Sequence, residues 1–257
     1  MIFCITNRCT MGCPHCMSDC KKLGEDFDLD NLNEFANFFK VMGFRVLNIS
    51  GGEPTEHPDL EEIINQLANK CHPTVITLIS NGDFLMCKEK TEAVLRLMKS
   101  HPNLTIQITS IQKWYRNYDY ISKNQDDIET MLGPGRVFFE TEKIRQMRPL
   151  GRALSSPEAM EAVAETHQGF TACANAYLMA QQTVKLKDFA SNCLHAHKFC
   201  MPLVGPDLNV YMSESMLCPS VGNLLEHSPV EIFKRMKAFV PCGKCLQAYN
   251  NYWTKNK

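Results

Sequence analysis

The sequence predicts an α/β fold built on a parallel sheet, and three observations predict it. Short apolar strands alternate with amphipathic helical segments along the first 141 residues. Such alternation implies parallel pairing, because the chain must cross back over the sheet between strands. A cysteine-rich loop follows the first strand, and a Gly-Gly pair follows the second. Both then fall at carboxyl ends of strands, on one rim of the sheet.

The elements follow in order. Met1-Ile2-Phe3-Cys4-Ile5-Thr6 reads as a strand over 1–6. Residues 29–42 place Leu29, Leu32, Phe35, Phe38, Phe39 and Met42 at helical spacing, and Gly43 ends that helix. Strands over 44–50 and 74–80 alternate with helices over 59–70 and 88–100. Residues 104–110 alternate Leu104, Ile106 and Ile108 on one face with Thr105, Gln107 and Thr109 on the other. A helix over 121–132 leads to a fifth strand over 136–141, and a sixth strand falls within 171–180. Further on, Leu208 to Met212 reads as strand. Residues 229–239 read as a helix with Pro229 at its start and Ile232, Phe233 and Met236 on one face. Five or six strand units are fewer than the eight of a closed barrel.

Composition narrows the function classes. The chain has 257 residues, 44% of them hydrophobic, enough for one large domain or a large domain with a small appendage. Its 27 basic and 28 acidic residues balance, and no basic stripe is evident, so no nucleic-acid partner is expected. No apolar run is long enough to span a bilayer, and no export signal precedes the first strand, so no membrane is expected. Thirteen cysteines without an export signal point to metal or cluster chemistry in a reducing cytoplasm rather than to disulfides.

The chemistry is carried by Cys9, Cys13 and Cys16 in the run Cys9-Thr10-Met11-Gly12-Cys13-Pro14-His15-Cys16. A cubane iron–sulfur cluster offers one terminal position per iron, so three thiolates leave the fourth iron open. Ser50-Gly51-Gly52-Glu53-Pro54-Thr55 fits that opening. Its glycines let backbone approach a ligand closely, and Glu53 accepts from a positively charged amine. The plain alternative is a four-thiolate zinc site completed by Cys20.

Taken together, these stretches resemble the radical S-adenosylmethionine (radical SAM) enzymes, whose signature is Cys-x3-Cys-x2-Cys with an aromatic residue or His before the third Cys, here His15. A Gly-Gly-Glu-Pro stretch follows in that family, often continuing as the His57-Pro58-Asp59 present here. The resemblance implies a partial (β/α)6 TIM-like barrel and a 4Fe-4S cluster on Cys9, Cys13 and Cys16. Its open iron would be chelated by the amino and carboxylate groups of S-adenosylmethionine. It also implies that Gly51, Gly52 and Glu53 hold the amino group, that His15 is cofactor-binding, and that reductive cleavage yields a 5′-deoxyadenosyl radical that takes hydrogen from a substrate. Ser80-Asn81-Gly82 matches a triplet near the nucleotide ribose, although Asn-Gly is also an ordinary turn. Ser110 matches a serine that touches S-adenosylmethionine in some relatives, which continue with Asp-Gly where this chain has Gln112-Lys113. Arg148-Pro149-Leu150-Gly151-Arg152-Ala153 resembles a stretch of many peptide-modifying relatives.

A second set, Cys200, Cys218, Cys242 and Cys245, includes the knuckle Cys242-Gly243-Lys244-Cys245. With Gly222-Asn223-Leu224 and the helix after it, this region resembles the C-terminal SPASM extension or its shorter twitch form. The organisation implied is a barrel over 1–190 and a small cysteine-rich α+β twitch extension over 191–257 holding an auxiliary 4Fe-4S cluster. Its plain alternative is a zinc knuckle. Four protein thiolates fill every iron, so an auxiliary cluster is suited to accepting an electron. The activity implied is oxidation of a peptide or protein; the alternatives are dehydrogenation of a small cyclitol-like molecule and a non-catalytic zinc-bound interaction protein. A flavodoxin or ferredoxin is the electron donor implied. Glu140, Tyr115, Tyr177 and His195 are candidate proton acceptors.

Overall fold

Phe3, at the middle of the first strand, has no exposed surface and stacks on Phe35 with ring centroids 3.8 Å apart, while Phe27 meets its edge at 4.9 Å. These contacts tie the first strand to the first helix and centre the core. The computed structural model describes residues 1–16, 18–110, 114–140, 151–159, 202–212 and 219–239.

Strands β1 (Ile2–Cys4), β2 (Val46–Ser50), β3 (Val75–Ser80), β4 (Leu104–Thr109) and β5 (Val137–Glu140) alternate with helices α1 (Leu32–Val41), α2 (Leu60–Cys71), α3 (Lys88–Ser100), α4 (Tyr118–Lys123) and α5 (Gln125–Leu132). They are followed by β6 (Leu203–Val204), β7 (Asn209–Tyr211), β8 (Gly222–Asn223) and α6 (Pro229–Lys237). The strands form one sheet in the order β5-β4-β3-β2-β1-β6-β7-β8. The first six in that order pair parallel; β7 and β8 add antiparallel. Among the described strands the sheet does not close on itself.

The parallel α/β sheet expected from the alternation is therefore present. Alternating side chains divide it. Leu47, Ile49, Ile76, Leu78, Leu104, Ile106 and Ile108 are buried in one apolar cluster with Phe35, Phe38 and Phe39 of α1, Ile63, Ile64 and Leu67 of α2, and Val94 and Leu97 of α3. On the other face, Asn48, Thr77 and Thr105 stand in one register row and are only half-buried. The apolar face holds the helices, which leaves the polar face available to the interior of an open barrel.

Two elements differ from the sequence-based expectation. The helix expected over 121–132 is α4 and α5, broken at Asn124, whose side chain donates to the Tyr120 carbonyl at 2.7 Å. Asn side chains offer the backbone such non-helical partners. The strand described beside β1 on its other side is β6, paired through Ile2–Leu203 and Phe3–Val204. The strand expected within 171–180 lies outside the described residues, as do Cys200, Cys218, Cys242 and Cys245.

Candidate functional site

Because β1 to β4 run parallel, the segments after them emerge along one edge. After β1 the chain makes an excursion tied at its base: Asn7 N donates to Glu25 O at 2.8 Å, Cys9 N to Lys21 O at 2.8 Å and Phe27 N to Ile5 O at 2.8 Å. Arg8 and Asp26 reinforce this base with an ion pair at 2.9 Å. Gly12, with φ +67°, makes the left-handed bend between Cys9 and Cys13.

The segment after β2 packs against this base. Gly52 N donates to Thr6 O and Glu53 N to Arg8 O, each at 2.8 Å. A Cβ on Gly51 would stand 2.5 Å from Thr6 O, and one on Gly52 would stand 2.4 Å from Arg8 O. In the fold, then, these glycines admit the backbone leading into the cysteine loop.

Glu53 follows and is fully buried. Its Oε1 accepts from Thr55 N at 3.2 Å, Thr55 Oγ1 at 2.7 Å and Ser80 Oγ at 2.9 Å. Its Oε2 accepts from Asn81 N at 2.7 Å. Burial raises the carboxyl pKa, and the donors on Thr55, Asn81 and Ser80 oppose that rise. The network continues: Asn117 Nδ2 donates to Asn81 O at 2.9 Å, Ser110 Oγ donates to Asn117 Oδ1 at 3.1 Å, and Asn81 Nδ2 reaches Cys9 Sγ at 3.6 Å. The ends of β2, β3 and β4 thus connect to the first cysteine.

The three thiols affect one another's ionisation. Burial raises the Cys9 pKa, and Glu53 and Cys16 add to the rise. Burial pushes Cys13 up to about 12, with further contributions from Cys9 and Cys16, while a hydrogen bond from Tyr115 opposes it. Cys16 is lowered to about 6, chiefly because the Cys20 thiol donates to it, and Cys20 is raised correspondingly. His15 lies edge-on to Trp114, ring centroids 5.0 Å apart, and 5.6 Å from Tyr115. Burial, then the Arg152 cation, lowers its pKa to about 4, so it is neutral at pH 7. Among the described residues its buried Nδ1 has no hydrogen-bond partner.

Among the described residues, no three His, Cys, Asp or Glu side chains are gathered to hold one metal ion. A four-iron cluster takes its thiolates one per iron and does not need them to meet at a point. Three soft sulfur donors in mutual electrostatic range, with a neutral imidazole nitrogen left unpartnered beside them, fit such a group.

Sequence reasoning missed Thr55 and Asn117, the two residues that complete the Glu53 network. Nothing in a single polar residue after a strand marks it in advance. Of the candidate proton acceptors, Tyr115 faces the thiols and Glu140 ends β5, where it accepts from Thr109 Oγ1 at 3.4 Å. Tyr177 and His195 lie outside the described residues. On the Thr10 side of the loop, a cavity of about 670 Å³ is lined by Thr10, Glu56, Asp83, Lys90, Arg116 and Asn117. Four of its charges pair, Lys90 with Glu56 at 2.6 Å and Arg116 with Asp83, and Lys22 also lines it. No helix of the described residues is long and apolar enough to cross a membrane.

Comparison with known proteins agrees with this arrangement. The chain is 27% identical over 139 residues to GTP 3′,8-cyclase of Aquifex aeolicus (strain VF5), a match covering 52% of this chain and 40% of that protein. It is 27% identical over 111 residues to probable GTP 3′,8-cyclase of Archaeoglobus fulgidus, covering 43% of this chain and 36% of the relative. These matches therefore span well under half the length of the curated relatives. The fold is similar to the crystal structure of BtrN in complex with AdoMet and 2-DOIA, with TM-score 0.55 and 12% identity over 95% of this chain and 87% of BtrN. It is also similar to native anSMEcpe with bound AdoMet and Cp18Cys peptide, with TM-score 0.54 and 12% identity over 93% of this chain and 81% of that one. Residues 3–131 of the 257 match the Radical SAM superfamily, a stretch that runs from β1 into α5 and contains the cysteine loop, Glu53, Ser80, Asn81 and Ser110. The chain belongs to the radical SAM superfamily.

Proposed function

We propose that the protein reductively cleaves S-adenosylmethionine at a 4Fe-4S cluster held by Cys9, Cys13 and Cys16, and oxidises an unactivated C–H position of a peptide or protein. The observation that carries this reading is the connection of the cysteine loop to Glu53 through Asn81, at the carboxyl ends of parallel strands. When bound, the cluster would supply one electron to the nucleotide's own sulfonium, whose C–S bond would break to leave methionine and a carbon radical able to take a hydrogen atom. The chain's own residues bind and orient. Each oxygen of a carboxylate has about two lone-pair sites, and donors on one oxygen can share a site. Oε1 of Glu53 already accepts three donors and Oε2 accepts Asn81 N, so Oε2 retains capacity for the nucleotide's amino group. In this reading Ser80 and Asn81 would lie toward the ribose and Ser110 would touch the nucleotide, and His15 gives a neutral ring beside the cysteines.

Cys200, Cys218, Cys242 and Cys245 are read as ligands of an auxiliary 4Fe-4S cluster in a twitch-type unit over 191–257. With that acceptor the substrate loses a hydrogen atom, a proton and an electron, a net two-electron oxidation. Glu140, on the same rim, is the described carboxylate suited to take the proton. A peptide substrate is supported by the Gly151-Arg152-Ala153 stretch and by the likeness to peptide-bound anSMEcpe. A small-molecule substrate is the second reading, favoured by the likeness to BtrN with 2-DOIA and by sequence similarity to GTP 3′,8-cyclases.

The test is anaerobic incubation of iron-loaded protein with S-adenosylmethionine and dithionite, followed by quantification of 5′-deoxyadenosine and analysis of iron, sulfide and zinc. Iron, sulfide and 5′-deoxyadenosine support the proposal. Zinc without 5′-deoxyadenosine removes it in favour of the interaction-protein reading.

A further inference from the structure

Arg152 lies outside the 3–131 stretch matched by the family, yet it grips the cysteine loop at four places. Its Nε donates to Asp19 Oδ1 at 3.0 Å, its Nη1 to Cys13 O at 2.9 Å, and its Nη2 to Cys20 O. Its backbone N donates to Cys16 O at 3.0 Å. The anchor is firm: the next residue, Ala153, has no exposed surface. The loop needs a brace here. Asp19 adopts a left-handed backbone with φ +48°, which a non-glycine residue holds only when its surroundings require it. The carbonyls of Cys13 and Cys20 bracket Cys16, so one planar guanidinium fixes the carbonyls on both sides of the third cysteine.

We propose that Arg152 is a positioning residue for the cluster: it sets the separation of the Cys13 and Cys16 sulfurs and places a fixed positive charge beside the iron site, which eases one-electron reduction. This rests on the cysteine triad as ligands. A cationic group near a cluster favours its more negative, reduced state, and hydrogen bonding and net charge around a cluster tune its potential. Lysine supplies the charge but not the rigid fork; glutamine supplies neither.

Two measurements on the full chain test this. The first is an EPR-monitored redox titration of the cluster whose signal responds to S-adenosylmethionine, in wild type, Arg152→Lys and Arg152→Gln. A more negative midpoint in Arg152→Gln, with Arg152→Lys close to wild type, is expected; the same midpoint in all three overturns the charge role. The second is amide hydrogen exchange of the metal-free chain. Exchange at Asp19 and Cys20 should accelerate about tenfold in both variants, the size expected for losing a charge-assisted hydrogen bond, while α2 and β3 stay unchanged. Unchanged exchange overturns the brace. Should the Gln variant fail to fold, Arg152→Lys carries the exchange arm and Arg152→Met the redox arm. A wild type that takes up no iron would refute the triad, and the exchange arm would still decide the brace.

Discussion

The backbone N–H of Asn81 donates to Oε2 of Glu53 at 2.7 Å, joining the chain after β3 to the chain after β2. The same Asn81 reaches Cys9 with its side chain, so one residue couples the carboxylate to the thiols. In Glu53→Gln an amide N–H₂ must face either Asn81 N–H or the Thr55 and Ser80 donors. Leaving one buried donor unpaired costs about 1–3 kcal/mol of stability. Urea unfolding of the metal-free variant measures this, and 5′-deoxyadenosine formation should fall at least roughly tenfold for loss of one charge-assisted partner.

Asn117 is the hub between Ser110 and Asn81, and only 2% of its surface is exposed. Asn117→Ala removes both bonds and leaves Asn81 O without that donor. The expected loss is about 1–3 kcal/mol by urea unfolding, with weaker binding of S-adenosylmethionine by isothermal titration.

Gly52 cannot carry a side chain without moving the backbone of Arg8. Gly52→Ala is therefore expected to cost about 3 kcal/mol and to loosen the base of the cysteine loop. Gly43, at φ +69° with open space around it, provides the contrast: Gly43→Ala should cost about 1 kcal/mol, the strain of a left-handed residue alone. Denaturant midpoints of the two variants settle the order.

His15 has its pKa lowered from 6.5 to about 4 by burial and by Arg152. The folded chain thus binds its proton less tightly than the unfolded chain. Between those two pH values the unfolded state holds more protons, so stability rises with pH there and is lost as pH falls through the window. Metal-free wild type should lose stability between pH 6.5 and about 4 more steeply than His15→Gln. Parallel pH profiles in chemical denaturation would contradict this.

Cys242 and Cys245 are read as auxiliary-cluster ligands. Replacing both with Ala should lower iron content while 5′-deoxyadenosine still forms without substrate turnover. Unchanged iron would remove the auxiliary cluster from the account.

Much of the fold was legible because its signals are local. The alternation of Leu104, Ile106 and Ile108 with Thr105, Gln107 and Thr109 predicted a strand, and β4 buries the first set. Helical spacing of Leu32, Phe35, Phe38 and Phe39 predicted α1, which buries all four. The break at Asn124 was not legible, because it depends on which partner one side chain takes. Strand β6 has two residues, too few to show a period. In the site, Cys9 and Glu53 stood out by motif and Ser80, Asn81 and Ser110 by family resemblance, and hydrogen bonds join the five, Ser110 through Asn117. Asn117 and the grip of Arg152 on residues 13–20 depend on long-range folding that spacing does not encode.

The most direct test is EPR spectroscopy of the anaerobic, iron-loaded, dithionite-reduced protein with and without S-adenosylmethionine. A reduced-cluster signal that changes when the nucleotide is added, and that is absent from the Cys9→Ala/Cys13→Ala/Cys16→Ala variant, is predicted. A spectrum indifferent to the nucleotide, or a nucleotide-responsive signal persisting in the triple variant, would contradict the assignment of these cysteines.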